Sequence, residues 1–208
     1  MLDEKGFDLW ANGYDQSVKL GEISKRYPFV AYREVLNEVY RLIKQTNSKG
    51  NILDIGFGTE ILTKKIYDDG YLITGVDFSK KMIEIAEKKM PDAKLFQSDF
   101  SDGLPQEITG MNFDFIISTY AIHHLDDKQK IMILKQMLNT LTANGRIIFG
   151  DVMTETVRDM AKLKKKDYDI WDEDEYYLVA ENVQTWFPEC TVEFMAKSYC
   201  SGVLVITK

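Results

Sequence analysis

The sequence is poor in the residues that staple small proteins or bind metals. Its 208 residues include two cysteines and two histidines. Cys190 and Cys200 lack CxxC spacing and have no histidines nearby, which excludes a disulfide framework and leaves no zinc pattern. No apolar run approaches the roughly 18 residues that a membrane helix requires. The opening Met1-Leu2-Asp3-Glu4-Lys5-Gly6 lacks the apolar stretch of a secretion signal, so a cytoplasmic protein is expected. Positive charge is also in deficit: 26 Lys and Arg stand against 33 Asp and Glu, a net charge of −7. Nucleic-acid binders draw most of their affinity from neutralising phosphates, so neither nucleic acid nor membrane is an expected partner. Lys64-Lys65, Lys80-Lys81 and Lys88-Lys89 read as solvated helix faces. What remains is an ordinary globular composition, 45% hydrophobic, in a chain long enough to bury a core unaided.

Hydrophobic spacing places Trp10, Tyr14 and Val18 on one face of a short helix. Pro28 is expected to open a second, with Val35, Leu36, Val39, Tyr40 and Ile43 on its apolar face. Strands then alternate with helices: strands over 51–55, 71–76, 94–97, 113–118 and 146–149, and helices through Lys65, Lys89 and Leu141. Ser79 is the expected N-cap of the second of these helices. Asp126 with Gln129 forms a capping-box pattern at the third, and Asn144-Gly145 an expected turn. Residues 154–188 read as largely helical, interrupted by an acidic, aromatic stretch. Two strands over 191–197 and 203–207, joined through Ser201-Gly202, must pair antiparallel. The expected architecture is α/β: a Rossmann-like, doubly wound, seven-stranded sheet with an antiparallel final strand. One domain, 1–208, divides into a helical preface or lid (1–50), a binding core (51–151), a late helical insertion (152–190) and a terminal strand pair (191–208).

Ligands of such sheets sit outside the carboxyl ends of the strands. Gly56 and Gly58 follow the first strand there. No Gly-Lys-Ser/Thr completes a P-loop, and Ile61 stands where a dinucleotide fingerprint needs its last glycine. Asp54 before the loop and Glu60 after it oppose a pyrophosphate and suit a ligand carrying positive charge.

The run Ile52-Leu53-Asp54-Ile55-Gly56-Phe57-Gly58-Thr59 resembles the first motif of class I S-adenosylmethionine-dependent methyltransferases of the small-molecule type. Four more segments follow in that family's order: Gly75-Val76-Asp77-Phe78-Ser79; Gln97-Ser98-Asp99-Phe100; the stretch 113–118 with His123-His124-Leu125; and Leu141-Thr142-Ala143-Asn144-Gly145-Arg146. The resemblance implies methyl transfer from S-adenosylmethionine, with S-adenosylhomocysteine as product and a small molecule as acceptor. It implies that Gly56 and Gly58 admit the cofactor, that Asp77 accepts the ribose hydroxyls, that Phe78 and Met82 cover the adenine and that the Phe100 amide donates to its ring. Ser98 and Asp99 fall beside the adenine amino group, Asp54 and Ser118 at the methionine end, and Trp10 and Tyr14 in a lid. Glu60 departs from the family, which has a third glycine there. As a first-turn helix residue it is expected to be tolerated by the cofactor rather than required, and its exchange for glycine to lower stability through helix propensity.

Methyl transfer from a sulfonium relies chiefly on holding the acceptor in line. A catalytic residue is therefore not assigned. His123, His124, Tyr120 and Tyr14 are the candidates for a base, and the acidic run 172–175 reads as a solvated turn. With no metal-ligand spacing visible, the expected transfer is metal-independent. Two other readings stand beside this one: a non-catalytic regulatory domain binding S-adenosylmethionine or S-adenosylhomocysteine, and a nicotinamide-dependent oxidoreductase. The acceptor atom and the oligomeric state are not legible.

Overall fold

Alternating strands and helices build the centre of the molecule, because each apolar strand needs cover on both faces. The computed structural model describes residues 27–45 and 49–208. Trp10 and Tyr14 lie outside the described residues. Among the described residues the α-helices are α1 (Tyr32–Lys44), α2 (Ile61–Asp68), α3 (Lys80–Lys89), α4 (Asp127–Thr140), α5 (Val157–Lys166) and α6 (Ala180–Trp186). The strands are β1 (Asn51–Ile55), β2 (Leu72–Asp77), β3 (Lys94–Gln97), β4 (Phe113–Thr119), β5 (Leu141–Thr154), β6 (Leu178–Val179), β7 (Thr191–Ala196) and β8 (Ser201–Thr207).

The main path of the sheet runs β3-β2-β1-β4-β5-β8-β7, with the two-residue β6 pairing with β5. β1 to β5 are mutually parallel, and β8 runs antiparallel to both β5 and β7. The seven-stranded, doubly wound sheet with a reversed last strand is therefore present, and β6 is an addition. The chain winds outward from β1 to β3 and returns to β4. The crevice between the ends of β1 and β4 is the switch point where such sheets bind ligands.

Side-chain alternation feeds two cores. Leu53, Ile55, Ile116, Ile147 and Phe149 face α4 and α6. Ile52, Phe115, Ile117, Ile148 and Val203 face α1 and α2. Ile116 and Ile117 are both fully buried, which is why β4 reads as continuously apolar. Each contributes about 1.5–3 kcal/mol relative to an exposed position.

Three boundaries differ from the sequence reading. α1 starts at Tyr32, after Ala31 in a left-handed conformation, rather than at Pro28. β5 begins at Leu141: Phe113 pairs with Leu141 and Phe115 with Arg146, so Asn144-Gly145 serves a bulge within the strand instead of a turn before it. Ser201 and Gly202 pair with Val152 and Asp151 inside β8, and the turn lies before them. The start of α4 is as expected. Asp126 accepts from the Gln129 amide at 2.8 Å, while the Gln129 side chain accepts from the Asp126 amide at 2.9 Å.

Because both halves of this capping box are made, Asp126→Ala should lower stability by about 0.5–2 kcal/mol. Denaturant melts of the two proteins check this, with an unchanged midpoint as the contrary result.

Candidate active site

Four loops at the carboxyl ends of β1, β2, β3 and β4 converge with α1 around a cleft of about 760 Å³, its solvent-open part included. The loop after β1 contributes Gly56 and Gly58, at φ 69° and 51°. A Cβ on Gly56 would lie 2.5 Å from that of Ala121, whereas one on Gly58 would meet nothing within 4 Å. Glycine at 56 is thus set by packing of the β1 and β4 loops, and glycine at 58 leaves the cleft open to close backbone approach.

Asp77 ends β2, lines the cleft and is 4% exposed. One carboxylate oxygen accepts from the Gly58 amide and the other from the Ser79 amide, each at 2.9 Å. The Ser79 hydroxyl caps α3 by accepting from the Met82 amide. This sets Phe78 and Met82 on one wall, and Phe100 closes another. Tyr32, Tyr120 and His124 also line it; Tyr120 holds a left-handed backbone and its ring leans on Tyr32, 4.9 Å between centroids.

The structure brings Gly56, Gly58, Asp77, Phe78, Met82 and Phe100 together in the cleft. The remaining described candidates sit behind or beside it. The Ser118 hydroxyl donates to the Ile55 carbonyl at 2.8 Å and ties β4 to β1. Ser98 donates its amide to the Asp77 carbonyl at 3.0 Å. Asp99 is exposed and caps a short helical turn through the Ser101 amide. Asp54 is fully enclosed, accepts from the Thr63 hydroxyl and leaves its Oδ1 atom unpaired. Burial pushes its pKa up to about 7, against the Thr63 hydrogen bond and with help from the Asp77 charge.

Glu60 departs furthest from expectation. It is not a first-turn residue but the left-handed residue before α2, at φ 52°, and its buried carboxylate pairs with Lys89 of α3. Asp54 and Glu60 therefore both turn away from the cleft, and its negative charge comes from Asp77.

Beside the cleft lies a group that the sequence reading missed in part. His123 Nδ1 is 2.7 Å from Asp151 Oδ1, and its Nε2 is 3.6 Å from Glu175 Oε1. Burial disfavours the charged His123 ring, but Asp151 and then Glu175 outweigh it and raise the pKa. Burial and the His123 charge lower that of His124 to about 3. Buried Lys130 donates to the carbonyls of Leu125 and Tyr176, and the Tyr176 amide donates to the His123 carbonyl at 2.8 Å. The 172–175 run is thus not uniformly solvated: Glu173 pairs with Lys164, whereas Glu175 is folded in under the Tyr177 hydroxyl. Trp171 and Tyr177 pack with Tyr27 rather than into the cleft. Asp151 is the one charged residue in the apolar run Ile147 to Met153 of β5, a signal legible in the sequence. Glu175 had none.

Comparison with known proteins now adds to the geometry. A methyltransferase-domain model matches residues 52–145. An uncharacterized methyltransferase of Oceanobacillus iheyensis is 32% identical over 210 residues, covering 97% of this chain and 94% of that protein. The chain belongs to the methyltransferase family. A second methyltransferase relative, from Bacillus mycoides, is 35% identical over 147 residues, 71% of this chain and 66% of that one. Among solved structures, the Synechocystis magnesium protoporphyrin IX methyltransferase with bound SAH superposes with a TM-score of 0.70 at 15% identity, covering 97% of each chain. A TehB-like SAM-dependent methyltransferase of Corynebacterium glutamicum gives 0.65 at 18%, covering 97% of this chain and 99% of that one. At these identities the structures establish a shared fold.

Two outcomes follow for this methyltransferase. At position 60 the left-handed backbone should reverse helix propensity: Glu60→Gly should melt above Glu60→Ala by about 1 kcal/mol, because only glycine relaxes a positive φ. A higher midpoint for the alanine variant would contradict the strained backbone. For Asp54, the folded pKa lies above the unfolded one, so native protein holds the proton between the two values. That stabilisation is lost as pH rises from about 4 to about 7. Melting across this window should show Asp54→Asn gaining on the wild type and then running parallel above it.

Proposed function

We propose that this methyltransferase moves the methyl group of S-adenosylmethionine to a small-molecule acceptor in the cytoplasm, releasing S-adenosylhomocysteine. The observation that carries the reading is the charge of the cleft. Among its described lining residues Asp77 is the carboxylate, and lysine and arginine are absent. Among these residues a polyanionic nucleotide would find no countercharge, whereas a sulfonium and an ammonium suit them. The Asp77 carboxylate at the end of β2 suits two vicinal hydroxyls, and Phe78, Met82 and Phe100 offer apolar surface for a flat base. The open position at Gly58 supports close approach of the ligand to backbone. Ser98 and Asp99 are proposed to touch the rim of the base, Asp54 and Ser118 to hold the loop from behind, and Tyr14 to close over the ligand. No described helix is long and apolar enough to cross a membrane.

When bound, the cofactor supplies an electrophilic methyl group on a good leaving group. The chain's contribution is then to orient an acceptor along the Tyr32, Tyr120 and His124 side and to exclude water. Depth and apolar walls favour a small acceptor over a polymer.

Calorimetry with S-adenosylhomocysteine tests the reading. Asp77→Asn should weaken binding by about 1.5–3 kcal/mol, roughly ten- to a hundredfold, the scale of lost hydrogen bonds to a charged group. Unchanged affinity in a folded variant, or tighter binding of NAD than of S-adenosylhomocysteine by the wild type, would remove it.

A further inference from the structure

We propose that His123, His124 and Glu175 form a binding site for a divalent first-row transition cation at the edge of the cleft. The site stands independently of the cofactor reading. One ligand atom from each of the three side chains lies within 4.8 Å of the others. An ion about 2.1 Å from each atom needs them roughly 3–3.5 Å apart, so His123 Nε2 and Glu175 Oε1, at 3.6 Å, are nearly in place. That separation is long for a hydrogen bond and close to the spacing of two ligands on one ion.

Both of these ligands are oriented from outside. Asp151, fully buried in β5, holds His123 Nδ1 at 2.7 Å, which directs the Nε2 lone pair toward Glu175. This is the carboxylate–histidine arrangement that orients imidazoles on metals. The Tyr177 hydroxyl occupies Glu175 Oε2 and leaves Oε1 facing the imidazole. Lys130 and the Tyr176 amide pin the Glu175 segment to the histidine turn, so the site is built into the fold rather than assembled from a loose loop. Two imidazoles and one carboxylate suit borderline cations such as zinc or cobalt over magnesium or calcium, which prefer oxygen alone. Three protein ligands also leave coordination positions open. Because His124 lines the cleft, the site adjoins the space assigned to the acceptor, where an oxygen, nitrogen or sulfur donor can complete the shell. The sequence showed no metal spacing because the two histidines are adjacent and the carboxylate follows about fifty residues later.

The test titrates the metal-stripped full-length protein with Co2+ alone, read by its visible absorption, and then displaces it with Zn2+. The expected result is a saturable band for one ion per chain, lost on adding zinc. Affinity should fall at least tenfold in Glu175→Gln and in His124→Ala, and roughly 10–100-fold in Asp151→Asn. Glu175→Gln keeps side-chain volume on a half-buried segment, so it remains informative if a histidine variant misfolds. Absence of a band in the wild type, or wild-type affinity in folded Glu175→Gln, overturns the site. His123 is then a ring held between Asp151 and Glu175 without a metal role. S-adenosylhomocysteine binding to the metal-free protein is measured separately, so failure of this site and failure of the cofactor reading are distinguished.

Discussion

The cleft depends on the pair of hydrogen bonds that the Asp77 carboxylate accepts from Gly58 and Ser79. They join the loop after β1 to the start of α3, two segments that approach each other only because β1 and β2 lie side by side in parallel register. A carboxylate so enclosed would be costly with unfilled lone pairs, and backbone amides satisfy it without neutralising its charge. The result is a fixed anion at the switch point of the sheet, set among aromatic and thioether side chains.

A second polar assembly holds the opposite rim. Lys130 is fully buried, and burial lowers its pKa to about 8. Its ammonium draws the carbonyls of Leu125 and Tyr176 together, and so links the turn after β4 to a segment nearly fifty residues further on. Buried charges persist where they are hydrogen-bonded, and this one replaces the apolar contacts that an acidic, aromatic segment cannot supply. The segment thereby brings Glu175 to His123, while Trp171 and Tyr177 pack with Tyr27.

The fold was legible because local rules and the global arrangement agree. The short apolar strands, the Ser79 cap and the Asp126 capping box each announce an element within a few residues, and alternation with helices implies parallel pairing. Misjudged boundaries fall where one local signal serves two structures. Asn144-Gly145 makes a bulge as readily as a turn, and Ser201-Gly202 can extend a strand as well as join two. The two-residue β6 carries too little pattern to be read.

The sequence by itself determined the order of elements, the doubly wound sheet and the carboxylate at the end of β2, since each is written in spacing along the chain. Tertiary structure alone decided where side chains with equal local claims point. Asp54 and Glu60 flank the glycine loop closely, yet one is enclosed with Thr63 and the other is drawn to Lys89, 29 residues away. Glu175 looked like its acidic neighbours until Lys130 and Tyr177 set its direction. Periodicity fixes which face of an element a residue occupies, but the partner of a buried charge is chosen by whatever the fold brings within hydrogen-bonding distance, and that choice is not local.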